Sequence, residues 1–531
     1  MKKKLLFMTM LLMIFSVQLF AQRYLSEIFP TTTVTSNVTF GWNYSILPTD
    51  DDVIGFVTPP GAKMYIDSLR ADIYEPVGDV IAERAAVIMV HTGSFLPIFY
   101  NGQATGAKTD SCIKVMCTQF AKRGYTAIAI DNRNGWNPQA LGAPGQEIRT
   151  GSLLQAAGRG IQDANAAVRY FRNNALNGGN TYKIDESQII LGGTGTGGYI
   201  VFGCSSVDSY AEISIPKFVA SVNNPSYGFT AGVTYFDSTL WGSTAGYGGL
   251  PFFNNSNNTP GISNSIFFAF NMGGAMGDSS WLDPGDVPMV CFHVPNDPFA
   301  PYANGPVIVP VTGDFVVNVS GSFTVIQKAD LLQNNSSFQF NNWTDPFTVR
   351  ANQVNNGYDG LFPFVLPALP PASGQASPWD WADSTTVYQI CIGLLGFTQG
   401  HTDSVWYNTL ATNPNMSSTK GHTYIDSVMG YLNPRIFAAM TVGIQQNEKS
   451  ESNLLVYPNP ASDNFVVAWK NSNERISRIE MFDISGRLVL VVDDLKTKSY
   501  NVNRKDLEAG VYMVKVFKGN GDSVIRKITI Q

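Results

Sequence analysis

Cysteine is sparse and odd in number: five in 531 residues. Cys112, Cys117, Cys204, Cys291 and Cys391 stand apart in mostly apolar contexts, so at least one stays unpaired within the chain and no disulfide framework is expected. They read instead as small buried apolar side chains. Histidine is scarcer, with four residues, all isolated. No His/Cys set has the spacing of a zinc site, and neither a metal nor a cofactor is expected. Positive charge is also short, 35 Lys and Arg against 41 Asp and Glu, a net charge of -6. Without a basic patch to neutralise phosphates, a nucleic-acid partner is excluded. After Phe20 no segment approaches the roughly 18 uninterrupted apolar residues of a spanning helix, so no transmembrane segment is expected in the mature chain.

What is present divides the chain. Lys2, Lys3 and Lys4 precede the apolar stretch Leu5 to Phe20, with Ala21 before Gln22, which is the pattern of a secretory signal peptide over 1–21. Residues 22–61 are rich in Thr, Ser, Asn and Tyr, and alternations such as Val38-Thr39-Phe40 predict edge strands leading into a main domain at 62–443. A polar linker, 444–452, precedes a module of short alternating strands at 453–531, read as a small all-β sandwich. At 44% apolar and 14% charged, the chain is long enough for a large core and a further domain.

Within 62–443 the hydrophobic period switches repeatedly. Ala85–Val90, Thr126–Ile130, Gln188–Leu191 and Pro288–Phe292 read as strands; Ser111–Arg123 and Gln162–Asn174 read as helices. Such alternation implies an α/β domain with a mostly parallel sheet covered on both faces. Ile213–Val287 and Asn334–Ser377, rich in Asn, Gly, Pro and aromatics, read as lids or ligand-facing loops.

The most informative stretch is Gly192-Gly193-Thr194-Gly195-Thr196-Gly197-Gly198-Tyr199, directly after the apolar run ending at Leu191. Laid on the G-x-S-x-G strand-to-helix turn, it puts Gly195 where the serine stands. Read more plainly, the glycines make a tight turn that lets a helix pack close to a strand. Ala71-Asp72-Ile73-Tyr74-Glu75-Pro76, His91-Thr92-Gly93-Ser94-Phe95, Arg123-Gly124-Tyr125, Asp131 to Trp136 and Asp163 to Phe171 accompany it. Together these blocks resemble the carboxylesterase-type branch of the α/β-hydrolase superfamily over about Leu69–Gly203.

The resemblance implies an α/β-hydrolase fold with Gly195 at the nucleophile position, whose hydroxyl is lost. It implies oxyanion-hole donors from Gly93 and Thr196, and Asp297 as the acid in the loop after Pro288–Phe292, although Asn-Asp-Pro is also a turn-former in its own right. His422 follows in the family's chain order as the base; Thr423–Tyr431 reads as a helix, which would leave His422 capping or exposed, and His401 is the alternative. Trp379 is expected to bind substrate, with packing under loops the other reading for the tryptophans. In the C-terminal module, Val456-Tyr457-Pro458-Asn459-Pro460, Met481 to Leu488 and Ala509 to Val516 resemble the type IX secretion C-terminal sorting domain. That implies handling by the type IX secretion machinery and a secreted or surface-attached protein. The expected function is an exported pseudo-hydrolase holding a small-molecule ester or glycan ligand; the alternatives are an active ester hydrolase with another nucleophile and a surface scaffold or adhesion protein.

Overall fold

The computed structural model describes residues 23–47, 63–250, 259, 261–309, 312–338, 343–367, 369 and 374–442, and in the C-terminal part 454–459, 461–469, 475–483, 488–493, 495–504, 507–518 and 523–530. The expected signal peptide and linker lie outside these residues. The chain divides into two compact units, one ending at Val442 and one beginning at Gly443.

The first unit is built on an eight-stranded sheet. Its strands are β1 (Thr32–Leu47), β2 (Lys63–Pro76), β3 (Arg84–Val90), β4 (Thr126–Ile130), β5 (Ile184–Thr194), β6 (Phe268–Met272), β8 (Met289–His293) and β11 (Leu361–Pro363), in the spatial order β1-β2-β4-β3-β5-β6-β8-β11. From β4 to β11 every neighbouring pair is parallel, whereas β2 runs antiparallel to both β1 and β4. An antiparallel lead-in, one strand exchange at β3 and β4, and parallel strands thereafter are the α/β-hydrolase arrangement the sequence led us to expect. The predicted edge strands of 22–61 are realised as β1.

Helices cover both faces because each central strand is apolar on both sides. In β3, Ala86, Ile88 and Val90 join one core with helix α2 (Gly142–Asn177) and helix α3 (Thr196–Ser206), while Ala85, Val87 and Met89 join the other with helix α1 (Ser111–Lys122). Helix α1 presents Cys112, Ile113, Met116, Cys117 and Phe120 at helical spacing, which places two of the five thiols in the core. Cys291 and Cys391 are buried as well, Cys204 partly so, and all five are free. Three short strands, β7 (Ala275–Met276), β9 (Asn304–Ile308) and β10 (Phe315–Gly321), form a separate antiparallel sheet. Helix α4 (Ser322–Leu331) follows it, and α5 (Gln399–Thr412) and α6 (Ser418–Val442) close the unit.

Two elements correct the sequence reading. Ile213–Val287, expected to be irregular, contains the central strand β6, whose five residues are all buried. Helix α2 spans 36 residues, not just its Gln162–Asn174 end. Its first half carries Gly151 and Gly158, where a Cβ would meet the rings of Phe229 and Phe236. Those glycines mask the helical pattern while admitting the aromatic loop that packs on it.

The second unit is antiparallel throughout. One sheet orders β12 (Leu454–Tyr457), β13 (Asn464–Trp469) and β16 (Ser499–Asn503); the other orders β15 (Leu488–Val492), β14 (Ile476–Asp483), β17 (Gly510–Lys518) and β18 (Ser523–Ile530). Alternate residues Phe465, Val467 and Trp469 of β13 enter one core with Ile479 and Met481 of β14 and Val514 and Val516 of β17. Period-two burial from two facing sheets is the expected sandwich.

Among the described residues no helix is long and apolar enough to cross a membrane. The loop after β4 is fixed by an ion pair with no exposure on either side: Asp163 on α2 accepts from the Arg133 backbone N–H at 2.7 Å and from its Nε at 2.9 Å. Removing one partner strands the other in the core. Asp163→Ala should therefore lower unfolding stability by about 3–5 kcal/mol, measured by urea denaturation.

Candidate functional site

The β5-to-α3 turn is where backbone geometry is most demanding. Gly195 caps α3 with φ 52° and ψ −118°, a conformation that side chains rarely adopt. Its N–H donates to the Met272 carbonyl at 2.8 Å and its carbonyl accepts from Gly198 N–H at 2.9 Å. Helix α3 starts so close to β3 that a Cβ on Gly197 would sit 2.2 Å from the Val90 carbonyl oxygen. A Cβ on Gly195 itself would sit 2.1 Å from Oγ1 of Thr92. The apex of the turn thus faces the loop after β3, and the Thr92 hydroxyl fills the space that a side chain at 195 would need.

That loop is itself strained. Gly93, Ser94 and Phe95 all have positive φ, held by Trp136 Nε1 donating to the Ser94 carbonyl and Gly135 N–H donating to the Phe95 carbonyl, each at 2.7 Å. Beside it opens a cavity of about 170 Å³ lined by Thr92, Gly93, Gly195, Thr196 and Asp297, with an otherwise mostly apolar wall that includes Tyr199, Trp281 and Trp381. Four of the residues singled out from the sequence, Gly93, Gly195, Thr196 and Asp297, therefore meet in one place.

Asp297 lies in the loop after β8, as read. Its Oδ1 accepts from Phe299 N–H at 2.7 Å and Ala300 N–H at 3.1 Å, but desolvation outweighs those bonds and pushes the carboxyl up to about 7. Beneath the loop runs a buried relay of hydrogen bonds. Asn271 Nδ2 donates to Ser322 Oγ at 3.0 Å, Ser322 Oγ lies 2.8 Å from His293 Nδ1, and His293 Nε2 lies 3.1 Å from the Ala300 carbonyl. Because a carbonyl can only accept, the imidazole proton sits on Nε2 and Ser322 donates to Nδ1. Burial, which lowers His293 to about 4, keeps it neutral, so it supports the Asp297 loop without sharing a proton with it.

The other histidines are elsewhere. His91 Nδ1 pairs with the Thr92 carbonyl. His401 packs edge-on to Phe397, ring centroids 4.3 Å apart. His422 is on α6, its Nδ1 2.8 Å from the Ser418 carbonyl and its ring 5.0 Å from that of Trp381. None of the four lines the cavity, so the chain-order argument that singled out His422, with His401 behind it, does not bring an imidazole to Asp297. Trp379 also departs from expectation: it is 1% exposed, in the core against Phe364, and Trp381 lines the cavity in its stead. The 379–381 turn sends one indole inward and the next outward.

Two residues escaped the sequence reading. Thr92 carried no signal beyond its place between His91 and Gly93. Asp380 lines the cavity and accepts from Trp381 N–H at 2.9 Å and Cys112 N–H at 3.2 Å. Burial raises it to about 6, and burial together with the Asp380 carboxylate raises Asp110, behind it, well above the ordinary range. Among the described residues no group of His, Cys, Asp and Glu is placed to hold a metal ion.

Residues 455–531 match the family model described as "Secretion system C-terminal sorting domain". No curated protein matches the chain. Among solved structures, native esterase Est2 of the planctomycete Thermogutta terrifontis is similar at 12% identity and a TM-score of 0.33, over 78% of this chain and 98% of that one. A truncated carbohydrate esterase from gut microbiota is similar at 16% identity and a TM-score of 0.29, over 58% of this chain and 86% of that one. The hydrolase fold assignment stands on the strand order given above.

Two measurements probe this site. Gly195→Ala should cost about 1–3 kcal/mol from backbone strain alone, with a further steric part that Thr92→Gly relieves; urea denaturation of the single and double variants should give a coupling of about 0.5–3 kcal/mol. Asp297 has a folded pKa near 7 against an ordinary 3.8, so ionising it opposes folding increasingly as pH rises through that interval, and the penalty levels off above about 7. Asp297→Asn should gain thermal stability relative to the wild type across the same interval, and not below it. With the sorting-domain match joined to the β-sandwich of the second unit, the C-terminal part of this chain is a secretion sorting domain, and the protein is secreted or attached at the outer surface.

Proposed function

We propose that the hydrolase-fold unit is a pseudo-hydrolase: it performs no serine-type ester hydrolysis and holds a small, largely apolar molecule in the cavity beside Gly195. One observation carries this reading, that the apex of the strand-to-helix turn is a glycine whose side-chain space is occupied by the Thr92 hydroxyl. Acyl transfer by this fold needs an oxygen nucleophile at that apex and a base to take its proton. Thr92 and Thr196 offer hydroxyls to the cavity, but no imidazole lines it, which disfavours a displaced nucleophile. Gly93 and Thr196 line the cavity beside Gly195 within a mostly apolar wall, which supports reading them as backbone donors to a carbonyl oxygen and ester-like or other carbonyl-bearing molecules as ligands. Delivery by the type IX secretion machinery places this activity outside the cell.

The test is direct. Purified full chain should hydrolyse p-nitrophenyl acetate and butyrate no faster than a protein-free blank and should resist fluorophosphonate labelling. Gly195→Ser should not change either result, because it adds a hydroxyl without a base and collides with Thr92. Turnover by the wild type that disappears in Thr92→Val would overturn the proposal and identify the nucleophile.

A further inference from the structure

The charge of the cavity wall narrows what it can hold. Among its described lining residues there is no Lys, Arg or His, while two carboxylates, Asp297 and Asp380, face it. Each has its backbone partners on one oxygen, Oδ1. A third group is unanswered: the hydroxyl of Tyr199, on the first turn of α3, is buried, has no hydrogen-bond partner, and is close enough to Asp297 for the carboxylate to raise its pKa. An unpaired phenol beside a buried carboxylate whose donors all sit on one oxygen is costly in a dry pocket unless something binds between them. A carboxylate or phosphate ligand would meet two like charges there with no cation to offset them. A sugar would find too little polar wall, since aliphatic and aromatic side chains supply most of the surface.

Resting on the ligand-binding reading above, we propose that the cavity selects a cation: a small molecule with an apolar or aromatic body and one protonated amine, the ammonium seated between the Asp297 carboxylate and the Tyr199 hydroxyl. The ammonium offers hydrogen-bond donors to both oxygens, the carboxylate supplies the countercharge, and Trp136, Trp281 and Trp381 on the cavity wall supply aromatic surface for the body. The titratable groups around Asp297 are few. Tyr199 faces it from α3, and Asp380 lines the same cavity with Asp110 and Lys114 behind it. Lys420, on α6, stands behind Asn413, its Nζ donating to Asn413 Oδ1 at 2.8 Å and the Pro414 carbonyl at 2.7 Å, so it does not neutralise the carboxylates from within the cavity. Because Asp297 is driven toward its neutral form by burial, cation binding should strengthen as pH rises through about 7 and release a proton below it.

Three ligands with one ring and different heads decide the matter: benzylammonium, benzyl alcohol and benzoate, titrated calorimetrically into the full chain above pH 7. Benzylammonium should bind roughly tenfold tighter than benzyl alcohol, and benzoate weakest. Asp297→Asn should bring benzylammonium down to the level of benzyl alcohol and remove the pH dependence of its binding. Tyr199→Phe should lose about threefold to tenfold for the amine, giving a second reading should Asp297→Asn fold poorly. Benzyl alcohol or benzoate binding as tightly as the amine would overturn the charge preference while leaving the ligand cavity standing. Failure of all three to bind a folded protein would overturn both.

Discussion

The close approach of helix α3 to strand β3 is the constraint on which the site depends. At Gly197 the separation leaves no room for a Cβ above the Val90 carbonyl, so the chain must turn from β5 into α3 within a few residues. The turn can close only if its apex takes a φ and ψ that an L side chain resists. An enzyme with a nucleophile at such an apex holds that strain in its folded state. A glycine there adopts the same turn without that strain. The loop after β3 fills the space beside that apex through Thr92, which would compete with any side chain placed at position 195.

The loop of Asp297 shows a different balance. Asp297 retains its loop, its two backbone donors and the neutral His293 relay that fixes the Ala300 carbonyl beneath it. What it lacks is a basic neighbour. In a Ser-His-Asp arrangement the buried carboxylate is stabilised by the imidazolium that forms beside it; here desolvation outweighs the two backbone hydrogen bonds, and the carboxyl rises. A carboxylic acid near neutrality in an apolar pocket is poised to respond to whatever charge enters. The same holds for Asp380, whose coupling to Asp110 means that placing both negative charges together is unfavourable.

How much of this was legible in the sequence follows from the range of the interactions involved. Strands β3 and β4 and helix α1 are continuous apolar or helical-period runs, and their limits could be read to within a residue because the signal is local. The turn at Gly195 and the loop of Asp297 were legible because short motifs sit directly after such strands. Strand β6 was not, since Phe268–Met272 is five residues long and lies among Asn, Gly and Ser that dilute any pattern. The front half of α2 was hidden by glycines whose purpose is tertiary, to admit Phe229 and Phe236.

The side chains around the cavity were the hardest to place, and the reason is geometric. His422 satisfied the family's chain order and Trp379 read as a ligand contact, yet the direction of each side chain is decided by packing that sequence order does not carry. Trp379 turns into the core against Phe364, Trp381 turns out to the cavity, and His422 stacks behind Trp381 from α6. The ring that reaches the cavity from these three residues is thereby an indole and not an imidazole. An indole can neither accept a proton from a hydroxyl nor carry charge at neutral pH, but it is well suited to cover an apolar or cationic guest. With a glycine at the apex of the turn and an indole on the wall, the described residues around the cavity offer surface to a guest and no imidazole.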